Sequence, residues 1–399
     1  MRDVVVVGGG QAAGRFAEAL RAGGYDGRIT LLADEPHTPY ERPPLSKGVL
    51  SGQDAPETTA LPVDWAALRI DVRQGARAVA IDRHAQRVTL EDGTTRPWDR
   101  LVLATGSRAR TLDLDVPSFT LRTLADAAAL RARLTPGARL LLLGGGVIGL
   151  EVAATAAALG VQAIVVEAAP RLMPRGCPAE IAAHLLALHR ARGVDVHLGA
   201  QVERVERAGA GLVATLADGT RIASDLLVLG IGAVPEDGLA AAAGLETRDG
   251  VLVDGLARSV TDPRILAIGD VARHPLPRFG ITLRQESWRH AEAHARAAAA
   301  GLLDASAAPY DDVPGFWSDQ HGARLLVEGL PALGATTVTR EGEKPVTFHL
   351  DATGRVMGAA TLGDSRAMAV ARRLIAAGAR PHPALLADAS RDLRGALKA

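Results

Sequence analysis

The stretch Val4-Val5-Val6-Val7-Gly8-Gly9-Gly10-Gln11-Ala12-Ala13-Gly14 decides the fold. Four β-branched residues in succession read as a strand buried on both faces, as in a parallel sheet. The glycines open a helix expected over residues 15–22, and a second strand follows at Arg28-Ile29-Thr30-Leu31-Leu32-Ala33, ending at Asp34-Glu35. Strand, glycine turn, helix, strand and acid together form the dinucleotide fingerprint in its proper setting. Gly8 permits the tight turn, Gly10 lets backbone approach a pyrophosphate, and Ala13 keeps helix and strand close. The helix N-terminus offers N–H donors and a positive dipole end to phosphate. Either Asp34 or Glu35 is placed to accept from a ribose hydroxyl.

The plan recurs. Arg139-Leu140-Leu141-Leu142-Leu143 runs into Gly144-Gly145-Gly146-Val147-Ile148-Gly149, then a helix through Ala158 and a strand from Gln162 to Val166 that ends at Glu167. Each copy is closed by an alternating strand with a turn signal, Val88–Thr94 and Leu212–Thr220, and by a glycine-ended strand, Asp99–Gly106 and Asp225–Gly232. Two fingerprints in tandem predict two dinucleotide sites and chemistry between their ligands. A further apolar strand, Ile265-Leu266-Ala267-Ile268, ends at Gly269-Asp270 and aims a carboxylate at its surroundings. The last ninety residues, sparse in aromatic residues apart from Phe316-Trp317, read as a separate small α+β domain.

At 399 residues the chain has room for two or three domains. Lysine and arginine balance aspartate and glutamate at 45 each, so the basic excess of a nucleic-acid binder is missing. The apolar run from Leu140 to Val166 is long enough to cross a bilayer, but its glycines and Glu151 read better as strand, turn and helix. No membrane span, no signal peptide and a cytoplasmic location are expected. The one cysteine, Cys177, cannot form an internal redox disulfide; in a loop between Gly176 and Pro178 it reads as incidental.

Four segments stand out, Pro39-Tyr40-Glu41-Arg42-Pro43-Pro44-Leu45-Ser46-Lys47, Leu121-Arg122-Thr123-Leu124, Gly144 through Glu151, and Trp317-Ser318-Asp319-Gln320, and the first is far more specific than any glycine motif. With them, nearly the whole chain resembles the FAD-dependent ferredoxin reductases of bacterial oxygenase systems. The resemblance implies an α/β fold: two Rossmann-like dinucleotide-binding domains, for FAD and NAD, of the glutathione-reductase type, plus a C-terminal α+β domain. The corresponding domains are a split FAD domain at 1–108 and 235–306, an NAD domain at 109–234 and a C-terminal domain at 307–399. FAD would contact Gly8, Gly10, Ala12, Asp34 or Glu35, Arg42, Lys47, Ala78, Arg122, Asp270 and Trp288. NADH would contact Gly144, Gly146, Ile148, Gly149, Glu151, Glu167, Arg175 and Gly232. Lys47 and Glu151 would be the catalytic pair, and no metal site is implied.

The resemblance further implies hydride transfer from NADH to FAD, then single electrons to a [2Fe–2S] ferredoxin feeding an oxygenase of aromatic hydrocarbon catabolism. A monomer or weak homodimer is expected. Rubredoxin reductase, NADH oxidase and a flavin-bearing NADH sensor are the alternatives. Hydride transfer needs alignment and field rather than a general base, so no acid or base is nominated. Glu167 would repel the extra phosphate of NADPH, although Arg171 and Arg175 follow it closely. Bland readings stand beside these. They make Glu151 a helix-end charge, His37 a loop residue, His290 and His294 solvent-facing, and the cluster Arg372-Arg373 with Arg380 a solvated helix face. The segment Trp288-Arg289-His290-Ala291-Glu292-Ala293-His294 departs from the Trp-x-Asn-Ala of close relatives.

Overall fold

The computed structural model describes residues 1–397. The chain forms two compact units, one of residues 1–42, 56–108 and 234–312, the other of residues 43–55, 109–233 and 313 onward.

The first unit is built on a five-stranded sheet in the order Ile265–Ala267, Arg100–Leu103, Asp3–Val7, Arg28–Leu32, Ile70–Arg73, every neighbouring pair parallel. Val4 to Val7 are all buried, as an unbroken apolar strand inside a covered sheet requires. One face is covered by the helices Gln11–Ala22 and Trp288–Leu303, whose meeting surfaces are Ala12, Ala13, Phe16 and Ala17 against Ala291, Ala295, Ala298 and Ala299. Small side chains let two helix backbones come close. The first helix starts four residues earlier than its sequence suggests, at Gln11, because Gly10 is its N-cap.

The second unit repeats the parallel sheet with four strands, ordered Asp195–Leu198, Gln162–Glu167, Arg139–Leu143, Leu226–Leu229. Leu141 pairs with Ile164 on one side and Leu227 on the other. The apolar run Leu140–Val166 is thus strand, turn, the helix Val147–Ala158 and strand. No helix among the described residues is long and apolar enough to cross a membrane. The same unit holds a five-stranded antiparallel sheet ordered Gly315–Gln320, Ala323–Gly329, Val356–Leu362, Val346–Leu350, Thr336–Arg340, together with the helix Ser365–Ala377. The α/β plan with an appended α+β segment is as the sequence predicts.

Candidate cofactor sites and a buried ion pair

In the first unit the glycine turn divides its labour. Gly8 has φ +134°, and a Cβ there would stand 2.2 Å from the carbonyl oxygen of Ala104, just past the end of the neighbouring strand. Only glycine meets both demands. Gly10, by contrast, faces open space: a Cβ would meet nothing within 4 Å. Beside it the Gln11 amide is buried, with neither its oxygen nor its nitrogen partnered within the protein. An open helix N-terminus and an orphaned amide fit a dinucleotide phosphate chain. Glu35 accepts from the Tyr40 hydroxyl at 2.7 Å and from Arg42 at 2.9 Å, whereas Asp34 is exposed. Ser107 Oγ donates to the Asp270 carboxylate at 3.0 Å. Ala78 opens the half-buried edge of the strand Ala78–Asp82. Trp288 is the first residue of its helix, capped where Ser287 Oγ accepts from the His290 N–H.

The histidines of that helix do not face solvent. His290 and His294 are 2% and 0% exposed; His290 stacks on both His274 and His294 at centroid distances of 4.9 Å, and His294 lies tilted against His274 at 5.0 Å. A one-turn spacing (i, i+4) places both on the inner face, against Tyr310, whose hydroxyl meets His290 Nδ1 at 3.0 Å. His274 Nδ1 donates to the Pro275 carbonyl, so its Nε2 accepts from the Gln285 amide at 3.1 Å. Burial, then the neighbouring imidazoles, pushes the pKa values of His290 and His294 well down, and the rings are neutral. Among the described residues no group of three or more His, Cys, Asp or Glu is placed to hold a metal.

In the second unit Gly144 has φ +104° and a Cβ would strike the Gly230 carbonyl at 2.4 Å; one at Gly149 would strike the Gly144 carbonyl at 2.3 Å. The turn and the helix are that close. Gly146 caps the helix and Ile148, 41% exposed, stands at its open end. The Glu167 carboxylate accepts from the Gly145 N–H at 2.6 Å and from the Ala169 N–H at 2.7 Å, which fixes it beside the turn. Arg171 is tied to the carbonyls of Cys177 and Pro174 at 2.6 and 2.7 Å. Arg175 is exposed and lies against Gly232, itself at φ +107°. Burial drives the Cys177 thiol up to about 12, so it stays protonated and unreactive.

Glu151 is not a helix-end charge. It is the fifth residue of its helix and 3% exposed. One carboxylate oxygen accepts from Lys47 Nζ at 2.7 Å and from Ser46 Oγ at 2.5 Å; the other accepts from Ser318 Oγ at 2.6 Å. One turn on, Thr155 Oγ1 donates to the Ser46 carbonyl at 2.7 Å, so a single helix face holds the Pro43–Lys47 segment twice. Lys47 also donates to the Pro43 carbonyl at 3.1 Å. Three donors on the carboxylate and two opposite charges meet the desolvation cost of the buried pair. Ser46, Thr155 and Ser318 were not among the residues the sequence nominates; Ser46 and Ser318 do lie in two of its four distinctive segments. Arg122 donates its backbone N–H to Asp126 at 2.9 Å, just ahead of the Thr123 cap of the helix Leu124–Arg131. Arg372 is no free surface charge, since it donates to the Val313 carbonyl and to Glu328 at 2.7 and 3.1 Å.

Residues 2–295 match the family model of pyridine nucleotide-disulphide oxidoreductases, and residues 315–397 that of the reductase C-terminal domain. The chain is 44% identical over 400 residues to the ferredoxin–NAD(+) reductase component of the anthranilate 1,2-dioxygenase system of Burkholderia cepacia, covering 98% of each chain. Its fold superposes on the ferredoxin reductase for the CYP199A2 system of Rhodopseudomonas palustris with a TM-score of 0.95 at 36% identity, covering 100% of both chains. On the reductase in the covalent putidaredoxin reductase–putidaredoxin complex the TM-score is 0.94 at 34% identity, over 100% of this chain and 98% of that one.

Proposed function

We infer, for a chain that belongs to the pyridine nucleotide-disulphide oxidoreductase family, that it is the NADH-dependent ferredoxin reductase of a bacterial oxygenase system. The observation that carries this reading is the pair of glycine turns, one in each unit, in a chain that lacks a second cysteine. A disulfide reductase needs two thiols, and the one present is buried and protonated. When bound, FAD supplies the conversion between the electron pair of a hydride and the single electrons an iron–sulfur protein accepts.

Gly8, Gly10, Ala12, Arg42, Ala78, Arg122, Asp270 and Trp288 hold FAD in this reading. Of the two acids left open, Glu35 takes the adenosine ribose, because its carboxylate is already oriented by Tyr40 and Arg42. Gly144, Gly146, Ile148 and Gly149 receive the nicotinamide dinucleotide, Glu167 its ribose hydroxyls, and Arg175 and Gly232 line its path. Arg171 is committed to carbonyls and so is not available beside Glu167 to welcome a 2′-phosphate. Lys47, held by Glu151, would supply the positive charge that stabilises negative charge on a reduced flavin. The acceptor is a [2Fe–2S] ferredoxin, and the enzyme works in the cytoplasm as a monomer or weak dimer.

Anaerobic mixing of the holoenzyme with NADH, followed by a panel of [2Fe–2S] ferredoxins and rubredoxin, tests the reading. Rapid flavin bleaching and fast, saturable reduction of a ferredoxin are expected. Bleaching with no competent acceptor would point instead to an oxidase or a sensor. Absence of bleaching would overturn the two-site assignment.

A further inference from the structure

The strand Gly315–Gln320 turns Ser318 and Gln320 to one face, because side chains alternate along a strand. That face is dry: Ser318 is 0%, Gln320 1% and, next along, His189 0% exposed. Ser318 Oγ lies 2.6 Å from Glu151 Oε1, Gln320 Nε2 2.8 Å from Ser318 Oγ, His189 Nε2 2.7 Å from Gln320 Oε1, and His321 Nε2 3.1 Å from His189 Nδ1. The direction of every bond follows from the first. An ionised carboxylate has no proton to give, so Ser318 must spend its only O–H on Glu151. The serine oxygen then accepts from the Gln320 amide, which leaves the Gln320 carbonyl to accept from His189 Nε2–H. His189 Nδ1, now bare, accepts from His321 Nε2–H.

We propose that Ser318 and Gln320, backed by His189 and His321, are positioning residues for the Lys47–Glu151 pair: a one-way line of donors that ends on the carboxylate and keeps it aimed at Lys47. The proposal rests on the reading of that pair as the flavin-facing one. Hydrogen bonds in series polarise one another in a low-dielectric interior, so the far end of the line is felt at the near end. A primary amide in the middle does not pass a proton along, and the line therefore orients charge rather than moving it. Both imidazoles must be neutral for the line to stand. Burial lowers the pKa values of His189 and His321, the latter to about 4 with help from His189 and Arg192, so they are. The far anchor sits in the two-residue turn His321-Gly322, with φ +52° and +79°. Such a hairpin turn ordinarily takes asparagine or glycine first; histidine there carries its ring to His189.

The test compares holoenzymes of Ser318→Ala, Gln320→Leu and His321→Asn with Glu151→Gln as reference; His321→Asn suits the turn and keeps the fold. Three quantities are read: the limiting rate of flavin reduction by NADH against its half-saturation concentration, the flavin midpoint potential, and the tautomers of ¹⁵N-labelled histidines. In the parent enzyme His189 and His321 are expected as neutral Nε2–H tautomers at pH 7. Ser318→Ala and Gln320→Leu are expected to lower the limiting rate about tenfold with half-saturation unchanged, and to make the potential more negative. Ser318→Thr, which keeps the hydroxyl, recovers the rate. His321→Asn moves the His189 signals and shifts the potential the same way. If Glu151→Gln alters rate and potential while the line variants match the parent, the positioning role is overturned and the pair survives. If Glu151→Gln itself changes nothing, the reading of the pair falls and the proposal with it. A protonated or Nδ1–H His189 at pH 7 would also overturn it.

Discussion

Lys47 and Glu151 stand 104 positions apart in sequence and 2.7 Å apart in space, as an ion pair whose acid is 3% exposed and whose base is 25% exposed. Removing one member of such a pair leaves a charge that nothing compensates, at a cost of about 3–5 kcal/mol when burial is complete and less here, where the ammonium keeps some solvent. Lys47→Met is expected to lower the melting temperature by several degrees and to slow flavin reduction by NADH at least about tenfold. Lys47→Arg should restore stability more than rate. Thermal unfolding and stopped-flow absorbance measure both, and unchanged flavin potential with unchanged rate would remove Lys47 from the mechanism.

Glu167 should set the choice of nicotinamide. Two unit charges about 5 Å apart at an effective dielectric near 20 repel by roughly 3 kcal/mol, a preference of roughly a hundredfold. The parent enzyme is expected to favour NADH over NADPH by about that factor in kcat/KM. Glu167→Ser should bring the ratio below about ten while also weakening NADH, since the carboxylate accepts from the Gly145 N–H. An unchanged ratio would mean that another group does the discriminating.

Gly8 and Gly10 are expected to fail differently. A Cβ at Gly8 collides with the Ala104 carbonyl at 2.2 Å, so Gly8→Ala should destabilise the apoprotein itself. A Cβ at Gly10 meets nothing within 4 Å. Gly10→Ala should therefore leave apoprotein melting intact and weaken FAD retention, measured as flavin content after gel filtration. Normal flavin content in Gly10→Ala would remove the fingerprint from the FAD site.

Asp262 gives a pH-dependent contribution in the first unit. Hydrogen bonds from Arg264, with further help from Arg83, hold its carboxyl down to about 2, and its side chain is 5% exposed. In the unfolded chain the group titrates near about 3.9. Its folded-state pKa is depressed, so the stabilisation is full above about pH 4 and fades as the pH falls toward about 2. The contribution is of the order of 2 kcal/mol at neutral pH. Urea unfolding of Asp262→Asn against the parent should show that difference at pH 7 and little of it near pH 2.

Both parallel sheets were legible because their signals are local. Val4 to Val7 and Leu140 to Leu143 announce buried strands, and the glycines after them have one geometry to satisfy. The candidate pair was legible only through the motifs that contain Lys47 and Glu151. What surrounds it was not: Ser46 meets Glu151 across 105 positions and Ser318 across 167, and neither residue type carries a periodic signal. A serine reads the same whether it caps a turn or serves a buried carboxylate. The bland reading of His290 and His294 as solvent-facing fails for a related reason. Polar residues on an alanine-rich helix look solvent-bound until the partner surface, here His274 and Tyr310, is known.

Cys177 has a practical consequence. Its thiol is 4% exposed and held protonated near neutral pH, so alkylating reagents should pass the native chain by. The natural sequence thus serves as its own cysteine-light background. One cysteine introduced at any exposed position becomes the sole attachment point for a fluorophore or spin label. Distances from reductase to acceptor are then open to spectroscopic ruler measurements without first stripping the protein of its own sulfur.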